Sequence, residues 1–462
     1  MIKRIGSVFD MIPVSCQFDF HPVGQGLFYS GRINDFHFVY DCGTVSRKKY
    51  MNAAIDAYVR ALGRNGQRNR KPLDMLVISH FHGDHMNGVK DLLKRTKGVK
   101  EVVLPYLHPA ERLLVAAEYA INNKLDALPE DYIAFLADPA AYFGGGEGSP
   151  EATIVTFILP GGPVGEWGNA GERGAVEQPG GAGAGVRYGW LPDIVQKKEI
   201  DKDPALNTEK VKLRTHASIF YSTLWSFKFY CRAGKATMED IEAKLRALER
   251  PIGPSGIEAS GLAVIIRTRL DDLKKIYREL FSSSPGQNST SLVCCHGPAM
   301  PLDNGMGKMR WWADILIEPL LSPQQHLKIL HKGSCQWVVH FFHRCRGEPC
   351  HAGCHMPPPF YQMLFGDANP EIDEYNTHFQ SELQEISVAL LPHHGANSGW
   401  HGDLPRVMPN CSIWVASFGL GNQYGHPCES AVSALKGANR EILLCTQVQG
   451  WSIAIDWRTR VL

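Results

Sequence analysis

Residues 76–85 read LVISHFHGDH. A short apolar run ends as a strand does, and His80, His82, Asp84 and His85 then fall within six positions. Alternate side chains of an extended segment share one side, so His80 and His82 present two imidazoles together. Gly83 permits a sharp turn that swings Asp84 and His85 toward a second point nearby. Such a pattern suits two adjacent divalent ions, with nitrogen ligands for one and a carboxylate plus a nitrogen for the other. The competing reading is a surface histidine cluster before a helix. Three His and one Asp at this spacing, on a strand end, speak against it.

Outward from this stretch, strand-like and helical segments alternate. Cys16–Phe20, Phe36–Tyr40 and Met75–Ser79 are short, apolar or alternating, and stop at turn residues. Ala53–Leu62 carries apolar residues at helical spacing. Glu101–Leu107 reads as another strand, and a helix opened by Pro109 runs to Asn122. This βα alternation predicts an α/β fold with its sheet under helices. Between Gly144 and Gly189 the chain is rich in Gly, and only Thr153–Leu159 has the apolar content of a strand. The rest of that stretch predicts a loop. Met238–Arg250 and Asp271–Leu280 read as helices, the second with mixed charges on a solvated face.

The chain has 462 residues, 44% of them hydrophobic, with 48 basic against 47 acidic side chains. Such an apolar fraction excludes disorder over most of the chain. A net charge of +1 excludes a histone-like polycation, so any nucleic-acid contact needs a local patch. No uncharged apolar run reaches the ~18 residues of a membrane span. The N-terminus lacks the apolar core of a secretory signal, and the 12 Cys are too unevenly spaced for a disulfide framework. A cytoplasmic protein without a membrane partner is expected. The Gly-rich stretch contains no GxxxxGK[ST], so no P-loop is expected either.

HxHxDH after a strand is the signature of the metallo-β-lactamase superfamily of hydrolases, which the chain resembles in further motifs. HPVGQG at His21–Gly26, with VYDCG at Val39–Gly43, is similar to the paired opening strands of ComEC-type competence proteins. NSTSLV at Asn288–Val293, LFGD at Leu364–Asp367, LPHHG at Leu391–Gly395 and GHP at Gly425–Pro427 match later motifs in that family's order. The resemblance covers residues 10–105, 285–295 and 360–462, and no transmembrane channel region is among them.

Carried over by position, it implies His80 and His82 on one metal and Asp84 and His85 on the other. Asp367 would bridge both, since a carboxylate can share its oxygens between two cations where a neutral imidazole cannot. A plain turn aspartate is the alternative. His394 or His393 would complete the site or protonate the leaving group. On an extended segment the two point to opposite sides, so one of them, expected to be His394, faces the metals. His426, before Pro427, is equally a ligand, a substrate contact or a loop residue. The wider superfamily's GHTxG motif is missing before Ser291, where Asn288 and Ser291 stand, and Ser417 occupies the place of a final His in many relatives. The implied chemistry is attack on phosphorus or a carbonyl by a metal-activated hydroxide. Asp84 would orient it, with His393 and His426 as the proton-transfer candidates.

A second cluster, HFFHRCRGEPCHAGCH at His340–His355, gathers Cys345, Cys350, Cys354 and His355. A structural zinc ion is one reading, and free thiols in an insertion loop are the other, because no clean C-x2-C pair occurs. KMRWW at Lys308–Trp312 could stack bases or sit in a core. RNGQRNRK at Arg64–Lys71 is a basic loop leading into the strand before His80.

The expected architecture is α/β, a metallo-β-lactamase αββα sandwich with two insertions. Its first half would lie in 1–107, a Gly-rich and helical insertion in 108–258 and return strands in 259–295. A Cys/His-rich insertion would follow in 296–358, and the second half of the fold in 359–462. The expected activity is that of a phosphodiesterase or nuclease on DNA, using two Zn2+ or Mn2+ ions, which carboxylates such as Asp84 and Asp367 both permit. A hydrolase of cyclic nucleotides or thioesters is one alternative. A subunit that meets protein partners through the insertions is the other.

The basic loop yields the first prediction. Neutralising Arg64, Arg68, Arg70 and Lys71 together should weaken DNA binding. It should also lower the slope of log affinity against log salt by about one per lost phosphate contact. Binding isotherms of the quadruple variant across a salt series check this, and an unchanged slope would mean a merely solvated loop.

Overall fold

The computed structural model describes residues 11–63, 72–144, 152–161, 188–190, 210–214, 217–221, 225–234, 236–248, 259–281, 290–298, 313–321 and 360–460. Strands β1 (Met11–Phe20), β2 (Gly26–Ile33) and β3 (Phe36–Thr44) form an antiparallel meander. In β3, Phe36, Phe38 and Tyr40 enter one buried cluster, while Val39 and Cys42 enter another on the opposite face. Period-two alternation over Phe36–Tyr40 with both faces apolar marks a strand between two packed layers, and a register shift at Asp41 turns Cys42 to the face of Val39.

Helix α1 (Lys48–Gly63) leads to β4 (Leu73–Val77), which lies parallel to β3. The short α2 (Gly83–Met86) and α3 (Val89–Thr96) precede β5 (Val99–Pro105). Helix α4 (Pro109–Asn122) begins where Pro109 requires. There the His108 ring accepts from the Ala110 N–H, and Glu111 accepts from the His108 N–H at 2.8 Å. Then come α5 (Glu130–Ala137), α6 (Pro139–Phe143), β6 (Ala152–Ile158), β7 (Tyr188–Trp190), β8 (Val211–Arg214), β9 (Ala217–Tyr221) and β10 (Trp225–Tyr230). After α7 (Met238–Arg246), α8 (Ala259–Thr268) and α9 (Leu270–Leu280), β11 (Val293–Pro298) and β12 (Ala313–Leu321) follow. The described part ends with β13 (Tyr361–Leu364), β14 (Ile386–Leu390), β15 (Ile413–Ser417), β16 (Glu441–Cys445) and β17 (Gln449–Arg460), and helices connect β13 to β14 and β15 to β16.

Two sheets result, in the orders β12-β17-β1-β2-β3-β4-β5-β6-β8 and β16-β15-β14-β13-β11-β10-β9-β7. Each is antiparallel on one side and parallel on the other: β3 to β8 in the first, β13 to β16 in the second. Three cores separate four layers. Phe18, Phe20, Tyr29, Phe38, Trp225, Phe227, Leu364, Val388 and Val415 fill the space between the sheets. A second cluster seals the first sheet under α1, α3, α4, α5 and α7–α9, and a third seals the second sheet under its own helices. This is the αββα sandwich expected from the sequence. No helix among the described residues is long and apolar enough to cross a membrane.

The stretches read as insertions also contribute strands to both sheets. The stretch 108–258 supplies β6 and β8 to the first sheet and β7, β9 and β10 to the second, while β12, within 296–358, pairs with β17. Antiparallel pairing of β10 with β11 spans a long gap in sequence, which local periodicity does not reveal. Most of the Gly-rich stretch lies outside the described residues. So do Arg64–Lys71, Lys308–Trp312, Asn288, Cys345, Cys350, Cys354 and His355.

One buried imidazole shows how polar groups are accommodated between the sheets. Trp225 Nε1–H donates to His296 Nδ1 at 3.2 Å. Tyr29 gives its hydroxyl hydrogen to Gln362 Oε1 at 3.0 Å, so His296 Nε2–H donates to the Tyr29 oxygen at 2.9 Å. Burial holds the His296 pKa down at about 3, against an ordinary 6.5. The folded state therefore binds fewer protons than the unfolded one between those values. Stability from this group is complete above pH ~6.5 and falls, by up to about 1.4 kcal/mol per pH unit, as pH drops toward 3. His296→Gln retains a donor and an acceptor but cannot titrate. Its denaturant stability should fall less steeply between pH 6.5 and 4 than that of the wild type, by up to this amount.

Candidate metal centre

The carboxyl ends of β3, β4, β13, β14 and β15 meet at one edge of the sandwich. Asp41, in β3, takes the left-handed backbone conformation (φ 57°) and is fully buried. Its carboxylate accepts the Ser79 N–H at 2.6 Å, the Ser79 hydroxyl at 2.6 Å and His85 Nδ1–H at 2.7 Å. Because the Ser79 hydrogen goes to Asp41, His80 Nδ1–H donates to Ser79 Oγ, 3.0 Å away. A Cβ built on Gly43 would stand 2.5 Å from the Asp84–His85 peptide, so only glycine lets α2 lie this close to β3.

The second sheet contributes Asp367, His393 and His394. The LPHHG segment is not extended. His393 (φ 48°) and His394 (φ 57°) both adopt left-handed conformations within a tight turn. Alternation therefore does not apply, and both imidazoles approach Asp367, His393 Nε2 at 3.5 Å and His394 Nε2 at 3.6 Å. Consecutive non-glycine residues in this region are strained, and such strain concentrates at functional sites. His394 Nδ1–H donates to the Ser417 carbonyl at 2.8 Å. Ser417, the departure from the pattern noted above, thus orients His394 through its backbone. Its hydroxyl donates to the Gly26 carbonyl.

Four imidazoles are fixed by the same device. His80, His85 and His394 each spend Nδ1–H on a neighbour, and His82 spends Nε2–H on Glu118 Oε2 at 3.2 Å. The other nitrogen of each is left with a lone pair. His80 Nε2, His85 Nε2, His394 Nε2 and Asp367 Oδ1 are buried without a hydrogen-bond partner. Yet they crowd together: His85 Nε2 is 3.1 Å from Asp367 Oδ1, His80 Nε2 is 3.5 Å from Asp367 Oδ2, and His394 Nε2 is 3.5 Å from Asp84 Oδ2. Buried polar atoms that converge unpaired call for a ligand. Two groups sharing Asp84 could each hold a cation: His80, His82 and Asp84, and Asp84, His85, Asp367 and His394. Nitrogen and carboxylate oxygen donors suit Zn2+ or Mn2+.

The electrostatics agree. Burial would raise Asp84 and Asp367, but His85 with His394 around the first, and His393 with His85 around the second, hold both carboxyls well below their usual range. Burial lowers His80. Burial would also lower His85, but Asp367, Asp41 and Asp84 outweigh it and hold its pKa well above the ordinary histidine value. A proton on His85 Nε2 and a metal cation thus compete for one position.

His426 belongs to neither group. It is half-buried and 6.1 Å, ring to ring, from His394 and 5.9 Å from His393, with Gln25 Nε2 donating to its Nδ1 at 3.4 Å. The centre thus joins His80, His82, Asp84, His85, Asp367 and His394, with His393 and His426 at its rim. Asp41, Ser79, Glu118 and Gln25 had no assigned role from sequence. The VYDCG motif drew attention to Asp41 without a task for it. Glu118 carried a weak signal, a lone acid on the apolar face of a helix.

Residues 23–173 match a family model described as Metallo-beta-lactamase superfamily. Among solved structures the chain is similar to the metallo-beta-lactamase fold protein YhfI from Bacillus subtilis, at 12% identity and a TM-score of 0.19, over 60% of this chain and 98% of that one. No curated protein matches it. The ComEC-type resemblance rests on the motifs quoted above.

The paired histidines give a direct test. His394→Ala removes a buried donor and should weaken cation binding by more than about 100-fold, whereas the more exposed His393 should cost less than about tenfold as alanine. Metal content after dialysis against a chelator series measures both, and the reverse order would exchange their roles.

Proposed function

We propose that this chain, whose residues 23–173 match a family model described as Metallo-beta-lactamase superfamily, is a metal-dependent hydrolase of phosphodiester bonds, with DNA as the favoured substrate. The observation that carries the reading is the pair of donor groups sharing Asp84. Bound divalent ions would supply a hydroxide near neutral pH and neutralise charge on the displaced oxygens. The ComEC-type motifs favour phosphodiesters over other esters.

The protein's own part is positioning and proton placement. Asp84 and Asp367, held as anions, fix the charge that faces the reacting atoms. Asp41, Ser79 and the Ser417 carbonyl hold His85, His80 and His394 in one tautomer, so no reorganisation is needed when substrate arrives. His426 accepts from Gln25 at Nδ1, which leaves Nε2–H to donate to a substrate oxygen. Burial, with His394 and His393 nearby, sets its pKa at about 4, so at neutral pH it is an uncharged donor. His393, with 24% of its side chain exposed, can reach the leaving group from the rim.

Asp84→Ala should cut turnover at least a thousandfold, about 4 kcal/mol of barrier, while leaving the melting temperature near that of the wild type. Purified protein with Mn2+ or Zn2+ would be assayed on single- and double-stranded DNA, RNA, cyclic nucleotides and a thioester. Full activity in folded Asp84→Ala overturns the metal reading. Cleavage of cyclic nucleotides or the thioester, without any of nucleic acid, moves the substrate to small molecules.

A further inference from the structure

We infer that Glu118 is a positioning residue for the metal centre: it fixes the metal-facing nitrogen of His82 and sets the cation affinity of the His80–His82–Asp84 group. The inference rests on the reading of those residues as a cation site. Glu118 stands on α4, 36 residues beyond His82, and is 4% exposed. Burying a carboxylate is costly unless charge and hydrogen bonds compensate. Glu118 receives His82 Nε2–H and a hydrogen bond from Tyr277 of α9. An acceptor at Nε2 leaves the lone pair on Nδ1, the remaining nitrogen that can face the group. Without it, the imidazole can rotate or change tautomer.

The surrounding helices hold the same loop. Tyr132 of α5 donates its hydroxyl to the Phe81 carbonyl at 2.8 Å. A Cβ on Gly83 would stand 2.7 Å from the Tyr119 ring of α4. Phe81, His82 and Gly83 are thus gripped in succession by α4 and α5, with Glu118 supplying the only carboxylate bonded to His82 among the described residues. The other group has its own backing anion, Asp41, which comes from β3. Asp41 also backs His80 through Ser79, but His82, which Glu118 holds, belongs to one cation group alone, so loss of Glu118 should affect that group selectively. Removing an outer carboxylate of this kind typically lowers metal affinity 10–100-fold.

The test uses full-length metal-free protein, titrated with Zn2+ against a chromophoric chelator. Glu118→Leu should weaken one of two equivalents by about 10–100-fold and leave the other within about threefold. Glu118→Gln, which keeps an acceptor for Nε2–H without the charge, should fall between, and it remains available if Glu118→Leu does not fold. In Co2+-loaded wild type, a paramagnetically shifted, slowly exchanging proton from His82 Nε2–H should be seen. It should persist in Glu118→Gln and vanish or exchange rapidly in Glu118→Leu. Unchanged affinities in folded Glu118→Leu, or equal weakening of both equivalents, overturn the proposal. If the wild type takes a single equivalent, the paired-cation reading falls. Glu118 is then judged on that equivalent, with weakening in its favour and no change against it.

Discussion

The contact on which the centre depends is that between the Asp41 carboxylate and Ser79. It ties the end of β3 to the end of β4 through two bonds of 2.6 Å in a site closed to water, where charge-assisted bonds are strongest. Ser79 then acts in three directions. Its oxygen fixes the His80 ring, and its carbonyl accepts the Leu292 N–H of the second sheet at 2.6 Å. Its Cβ lies where Gly366, before Asp367, would carry a side chain, at 2.7 Å. Gly366 has φ 55°, so the residue is required twice over, by conformation and by space. The Tyr40 hydroxyl, next to Asp41 in sequence, donates to the Leu292 carbonyl at 2.7 Å and closes the link between the sheets.

From this node the chemistry follows by subtraction. An imidazole has two nitrogens, and when one is committed to Asp41, Ser79, Glu118 or the Ser417 carbonyl the other has a single role left. That role is to accept a cation, a proton or a substrate hydrogen. Asp84 and Asp367, kept ionised by the histidines around them, make a cation the best fit. The same anions raise His85, so the metal must displace a proton there, and affinity for the ion becomes a function of pH.

Much of this was legible in the sequence where chemistry and position coincide locally. LVISHFHGDH puts His80, His82, Asp84 and His85 just beyond the end of a strand, where β4 and α2 have them, and the helix read from Pro109 to Asn122 has those bounds. What was not legible depends on conformations that residue type does not dictate. The opposed orientation expected for His393 and His394 presumed an extended segment, but both turn left-handed and face Asp367. Glu118 has no motif, because its partner is another element's residue. Of the strands within 108–258, β6 matches the stretch read at Thr153–Leu159, whereas β7 to β10 do not show in the sequence because their pairing is non-local and a short strand shows little periodicity by itself.

A final consequence concerns folding. His80, His82, Asp84 and His85 hang from the first sheet, while Asp367, His393 and His394 hang from the second. Between them lies an aromatic interface whose members, such as Phe18, Tyr29, Phe38 and Trp225, are each almost fully buried. The donors sit on strand ends and tight turns held by that interface, so their separation is set by how the two sheets dock. Glu118 adds the outer helical layer to the same constraint. A cation bound at Asp84 with Asp367 therefore closes a long loop between halves of the chain that the hydrophobic core alone would hold together less tightly. Metal affinity and the docking of the sheets are thus two measures of one equilibrium.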